Sequence, residues 1–223
     1  MDESPVASVP AIVLRELSKR FGRHWALVRV DYTLAQGDSL LLTGPNGSGK
    51  TTLLRLIATA ISPSLGAIGV AGLDAVRDRD EVRRRTALLS HSSFLYEDLT
   101  GEQNLLLAAR LLGIPDAQDS VRSLLERVGL DSRSGRPVRQ FSAGMRKRVA
   151  IAKLLLKPPA LVLALLDEPF GELDPSGIAL MERLIAELLA NGVAIVLATH
   201  MVDQGRALCR HRLHLHEGRV ASP

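Results

Sequence analysis

The sequence predicts an α/β domain with a parallel sheet covered on both faces, and three observations predict it. Two short, continuously apolar segments, Leu161–Leu166 and Val193–Ala198, flank a helix-like stretch, Ser176–Leu189. A strand that is apolar at every position has no solvated face, which marks burial between helical layers. A third apolar segment, Ser39–Thr43, runs directly into a glycine-rich loop. The length of 223 residues suits one core, and 46% hydrophobic with 23% charged residues is ordinary for a folded soluble domain.

Taken in order, residues 1–10 read as a loose tail and residues 11–223 as a single domain. From Ile12 to Leu42 the pattern is strand-like, with apolar–polar alternation in Leu27-Val28-Arg29-Val30-Asp31-Tyr32 and a turn at Gln36-Gly37-Asp38. After the glycine-rich loop a helix is predicted from Lys50 to about Ala60, ended by Ser62-Pro63, and Gly66–Gly72 reads as another short strand. Residues 97–156 have helical periodicity. Thr100 and Gln103 are spaced as a capping box ahead of a helix over Leu105–Leu112. Val121, Leu124, Leu125 and Val128 share one face of a second helix, and a third starts near Ser142 and stops before Pro158-Pro159. At the end, His211–Val220 reads as two short strands around Glu217-Gly218.

The net charge is +4, and the basic residues are nearly all arginine, with lysine only at positions 19, 50, 147, 153 and 157. They are scattered, and the densest group, Arg83-Arg84-Arg85, is offset by Asp78, Asp80 and Glu81. No basic stripe results, so no nucleic-acid partner is expected. The single cysteine, Cys209, has no internal partner, which fits a reducing compartment. The first ten residues hold two acids and neither a basic nor an apolar region of a signal peptide. No apolar run reaches the ~18 residues of a membrane helix, so any membrane role must come through a partner.

Gly44-Pro45-Asn46-Gly47-Ser48-Gly49-Lys50-Thr51 fits the phosphate-loop pattern G-x-x-x-x-G-K-[ST]. Glycines let the backbone curl until several N–H groups face one anion, and the following helix adds its positive end. Lys50 then reaches the β- and γ-phosphates, and the Thr51 hydroxyl is a hard oxygen ligand for Mg²⁺. Gly44, Asn46, Gly47, Gly49 and Thr52 complete the candidate nucleotide-binding set. The apolar strand at 161–166 ends in Asp167-Glu168, and ligands of open α/β sheets bind at that carboxyl edge. Asp167 is placed to hold Mg²⁺ through water, and Glu168 to orient or deprotonate an attacking water.

Four further strings narrow the choice among phosphate-loop NTPases. They are Phe141-Ser142-Ala143-Gly144-Met145 before the acidic strand, Gly171-Glu172-Leu173-Asp174 after it, Thr199-His200 closing the next strand, and Phe21. With these in this order, the chain resembles the ABC ATPases over nearly its whole length. The resemblance implies a parallel core sheet, an antiparallel β subdomain, and a helical subdomain over about 97–146. It makes Ser142 and Gly144 an anion site presented to ATP on an opposite subunit, and Asp174 part of the D-loop. It makes His200 the switch histidine that donates to the γ-phosphate, and Phe21 the aromatic against adenine, with Trp25 as its substitute. ATP and Mg²⁺ are the implied cofactors. The implied partners are a second ATP-binding subunit, a homodimer by expectation, and integral membrane permease subunits that hold the chain at the cytoplasmic face.

Two features depart from the family pattern. His91 stands where the family usually has glutamine, and imidazole is a poor direct ligand for Mg²⁺; contact with water or with the partner is the expectation. The run from Pro159 to Asp167 is two residues longer than usual. An even insertion keeps the core-facing set on one face, so a tolerated extension or a bulge within Leu163-Ala164-Leu165 is expected. Ser90 to Leu105 is similar to the ATP-binding subunit of the haem exporter of cytochrome c biogenesis. An exporter ATPase of other cargo and a soluble assembly ATPase stay open beside it.

Overall fold

The computed structural model describes residues 9–90, 94–130, 135–156 and 160–221. The chain begins with a hairpin, β1 (Ile12–Phe21) and β2 (His24–Leu34), followed by β3 (Ser39–Thr43) and α1 (Lys50–Ile57). Two short strands, β4 (Leu65–Val70) and β5 (Leu73–Asp74), precede α2 (Arg79–Arg85) and β6 (Thr86–Leu89). Three helices follow, α3 (Gly101–Leu111), α4 (Gln118–Arg127) and α5 (Ala143–Leu155). The chain closes with β7 (Leu163–Asp167), α6 (Pro175–Ala190), β8 (Ala194–Ala198), α7 (Val202–Leu208), β9 (His211–His216) and β10 (Arg219–Ala221).

Among the described residues the strands form two sheets. One is antiparallel, in the order β2-β1-β4-β5, and the other has the order β10-β9-β3-β8-β7-β6. The second is parallel throughout except for the β9–β10 hairpin. Its three central strands are buried at every position, as continuous apolar runs require. Alternate side chains divide the interior in two. Leu41, Ala164, Leu166, Ile195 and Leu197 pack with residues of α3 to α6. Leu40, Leu42, Leu163, Leu165, Ala194, Val196 and Ala198 pack with α1 and the antiparallel sheet. The parallel sheet is thus the partition between two cores.

The capping box at Thr100 is present in full. The Gln103 N–H donates to the Thr100 hydroxyl at 3.1 Å, and the Thr100 N–H donates to the Gln103 side-chain oxygen at 2.9 Å. The bulge expectation for the acidic strand fails: Thr86 to Leu89 pair with Leu163 to Leu166 in unbroken register, and Leu163 to Asp167 pair with Ala194 to Ala198 likewise. A regular strand between two regular neighbours has no room for an extra residue without losing ladder bonds on both sides. Residues 157–159, where the longer spacing begins, lie outside the described residues, as do residues 1–8 of the expected tail. α3, α4 and the first turn of α5 fall within the 97–146 span.

Candidate active site

β3, β8 and β7 lie side by side and point the same way, so the segments after Thr43, Ala198 and Asp167 emerge at one edge. The loop after β3 is shaped by its glycines. Gly44 has φ +142, and a Cβ there would sit 2.1 Å from the Leu215 carbonyl oxygen. Gly49 has φ +105, and its Cβ would meet the Ala26 carbonyl oxygen at 2.6 Å. Only residues without a side chain let the loop lie this close to β9 and β2. Asn46, Gly47, Gly49, Lys50, Thr51 and Thr52 line a cavity of about 360 Å³ together with Ala26, Arg55, Asp167 and Glu168.

Within this cavity Lys50, Asp167 and Glu168 already have partners. Lys50 Nζ donates to the carbonyls of Gly44 at 2.7 Å and Pro45 at 3.0 Å. Thr51 Oγ1 donates to Asp167 Oδ2 at 2.9 Å, and Asp167 is only 4% exposed. Glu168 follows at φ 48. Its Oε2 accepts from Thr199 Oγ1 at 3.2 Å and from the His200 N–H at 3.3 Å, and lies 2.8 Å from His200 Nδ1. A ring that donates from Nδ1 to Glu168 must carry both protons if Nε2 is also to donate.

These features fit the expected groups. A lysine satisfied only by neutral carbonyls, at the mouth of a helix N-terminus, suits a polyanion. The hydroxyl–carboxylate pair of Thr51 and Asp167 supplies hard oxygens suited to Mg²⁺.

Ser142, Gly144, Asp174 and Phe21 do not line the cavity. Ser142 caps α5, accepting from the Met145 N–H at 3.2 Å. Gly144 packs against the Glu172 carbonyl oxygen, which a Cβ would approach to 2.8 Å. Asp174 caps α6, accepting from the Gly177 N–H at 2.9 Å, and pairs with Arg148 at 2.6 Å. Bonds from Ser176, Gly177 and Arg148 hold its carboxyl below the usual range. Phe21 stands exposed at the end of the β1–β2 hairpin with Lys19 Nζ 5.0 Å from its ring centre, and Trp25 nearby takes Arg20 in the same way. His91 lies outside the described residues.

One residue escaped the sequence reading. Lys147 of α5 is 4% exposed, and its Nζ donates to the Glu168 carbonyl at 2.8 Å. Burial pulls its ammonium below the ordinary range, opposed by the charges of Glu172, Asp167 and Glu168. The available signal was a lysine on the stripe Lys147–Ala150–Ile151–Leu154, whose other members are core.

Comparison with known proteins agrees with this geometry. The family model described as ABC transporter matches residues 27–171. The daunorubicin resistance ATP-binding protein DrrA3 of Streptomyces coeruleorubidus is 38% identical over 212 residues, 94% of this chain and 66% of the relative. The cytochrome c biogenesis ATP-binding export protein CcmA 2 of Cupriavidus metallidurans is 41% identical over 188 residues, 83% of this chain and 87% of the relative. Among solved structures, an ATP-binding subunit of an ABC transporter superposes with TM-score 0.86 at 32% identity, covering 95% of this chain and 88% of the other. A dimeric ATP-binding cassette in a post-hydrolysis state with ADP and Pi superposes with TM-score 0.84 at 25% identity, covering 95% and 97%.

Proposed function

The chain belongs to the ABC transporter family and carries its ATP-hydrolysing domain, and from that premise we propose that it energises export through separate membrane subunits, as half of a pair that closes on ATP. The observation that carries this reading is the Glu168 carboxylate, held by Thr199 and His200 at the same cavity as Lys50 and the Thr51–Asp167 pair. Lys50 exchanges its two loop carbonyls for phosphate oxygens. Thr51 and Asp167 hold Mg²⁺, which supplies charge neutralisation at the phosphates. Glu168 accepts a proton from the attacking water, and His200 steadies that carboxylate while its second nitrogen faces the phosphate.

Ser142 and Gly144 sit at the N-terminus of α5 and line no part of this cavity. They serve as an anion site for ATP bound to a second copy, in keeping with the similarity to a dimeric cassette. Asp174 and Phe21 belong to the same closed state, the first beside the copy-to-copy contact and the second against adenine. His91 contacts water or the membrane partner; His91→Gln with unchanged transport and Mg²⁺ dependence removes any special role for it.

The membrane subunit docks on an apolar groove lined by β6, α3 and α5, with Ala87, Leu89, Phe94, Leu111 and Lys153 in its wall. Phe94 is 67% and Leu111 78% exposed, a cost in water that a partner removes. Haem or another cytochrome c biogenesis cargo is the favoured reading, supported by the 41% identity to the biogenesis relative. A drug-type cargo is the second, supported by the longer match to the daunorubicin relative.

The test is affinity purification of tagged Glu168→Gln from detergent-solubilised membranes with ATP, followed by mass spectrometry. Recovery of multispanning proteins is expected, and their identity distinguishes the cargo readings. Recovery of soluble proteins alone would overturn the transport reading in favour of an assembly ATPase.

A further inference from the structure

The structure assigns Lys147 a positioning role: it holds the Glu168 peptide in the conformation that aims the carboxylate, and ties that carboxylate to the helix whose N-terminus carries Ser142. The inference rests on the reading of Glu168 as the group that activates water.

Glu168 has φ 48, in the left-handed region that a residue with a Cβ rarely enters. Such a conformation persists only where surrounding bonds over-determine it. Here they do so from three sides. The Glu168 N–H donates to the Ala198 carbonyl at 2.8 Å. Its carboxylate is held by Thr199 and His200. Its carbonyl accepts from Lys147 Nζ at 2.8 Å and, less closely, from the Gly171 N–H at 3.3 Å. Without Lys147 the carbonyl keeps only the weaker bond, and the peptide is free to relax toward an extended conformation that swings the side chain off the water.

A buried lysine is a costly way to satisfy one carbonyl. Methionine would fill the same volume on the buried stripe of α5 with no charge to desolvate. The cation is retained beside Glu172, Asp167 and Glu168, whose charges favour it. Its donor goes to a backbone oxygen, which fixes a peptide and leaves the carboxylate of Glu168 to Thr199 and His200.

The same helix makes two further attachments to the segment after Glu168. Gly144 lies against the Glu172 carbonyl, and Arg148 bonds Asp174 and Ser176. Lys147 is five residues along α5 from the Ser142 cap, so a shift of α5 would carry the donor that holds the Glu168 carbonyl.

Steady-state ATP hydrolysis and equilibrium ATP binding of the full chain are compared for wild type, Lys147→Met, Lys147→Arg and Glu168→Gln. Lys147→Met is expected to lose kcat by roughly ten- to a hundredfold, the scale of a misaimed catalytic group. Its KM and its ATP affinity stay within about twofold of wild type, because Lys147 does not itself line the nucleotide cavity and reaches it only through the Glu168 carbonyl. Lys147→Arg restores most of kcat through its own N–H donors. Lys147→Met with wild-type kcat, or with KM and kcat lost together, overturns the proposal. Lys147→Leu, which also lacks a donor, carries the same prediction as the methionine variant. If it folds with native kcat, the proposal fails even where the methionine variant is insoluble. Normal hydrolysis by Glu168→Gln defeats the underlying role of Glu168, whereas an inactive Glu168→Gln beside a fully active Lys147→Met defeats only the tether.

Discussion

Gly44 admits no side chain, since the space a Cβ would need is taken by the Leu215 carbonyl and the φ of +142 is one that L residues avoid. Gly44→Ala is expected to cost roughly 1–3 kcal/mol from backbone strain alone and to abolish nucleotide binding, measured by chemical denaturation and by titration with a fluorescent ATP analogue. Native affinity in this variant would mean that the loop does not hold this shape when it binds. Cys209 makes the opposite point, that a residue without a motif can be inert for a physical reason. Burial pushes its thiol from 9.0 up to about 12, so folding suppresses the reactive thiolate. Since the folded value is the higher one, the stability that this thiol contributes is complete below pH 9 and is lost as pH rises toward 12. Alkylation by iodoacetamide at pH 8.5 should therefore be slower than for a small thiol by two to three orders of magnitude, and should reach the small-thiol rate in denaturant. Fast labelling of the folded chain would refute the burial argument. The phosphate loop and Asp167-Glu168 were readable because their chemistry is written in consecutive residues. Lys147 was not, because its partner is a backbone oxygen 21 positions away, and no side-chain pattern encodes a carbonyl.

Secondary-structure elements show the same division between local and distant causes. The capping box of α3 depends on residues three apart and was legible in advance, whereas the Asp174 cap and the proline that opens α6 one residue before the expected start emerge only in the structure. Thr100→Ala should destabilise the chain by about 1 kcal/mol, read from the midpoint of urea unfolding, with ATP binding unchanged. The central strands were legible because burial on both faces makes them apolar without a break. Leu165 is fully buried in β7, and Leu165→Ala should cost roughly 2–5 kcal/mol. If the two variants destabilise equally, the sheet is not the main partition of the core. α2, β6 and α7 were missed. β6 is only four residues long and follows directly on the arginines of α2, so neither periodicity has length to register. α7 carries Gly205, a poor helix former, because a Cβ there would meet Leu41 Cδ1 at 2.5 Å. The irregular pairing of β1 with β2, with Glu16 and Arg29 both at positive φ, arises from cross-strand fit and leaves no mark in composition.

At the scale of the whole molecule, the β6–α3–α5 groove proposed as the docking face shares α5 with the Ser142 cap and with Lys147. Lys153 lies in the groove wall, and burial pulls its ammonium below the ordinary range. Among the described residues no carboxylate pairs with it. A partner helix with an apolar face would cover Phe94 and Leu111, and a carboxylate on it would answer Lys153. Leu111→Glu puts a charge at the most exposed apolar position of this wall. It should weaken the proposed association with a membrane subunit by about 2 kcal/mol or more, a roughly thirtyfold loss. The nucleotide cavity shares no residue with the groove, so ATP hydrolysis by the isolated chain should stay within about twofold of wild type. Membrane fractionation of tagged wild type and variant, with hydrolysis measured on the purified soluble chains, separates the two effects. Undiminished recovery of Leu111→Glu with membranes would remove the groove as the docking face. Loss of hydrolysis together with membrane binding would show that the substitution disturbs the fold, in which case Phe94→Asp, also in the groove wall, carries the same prediction.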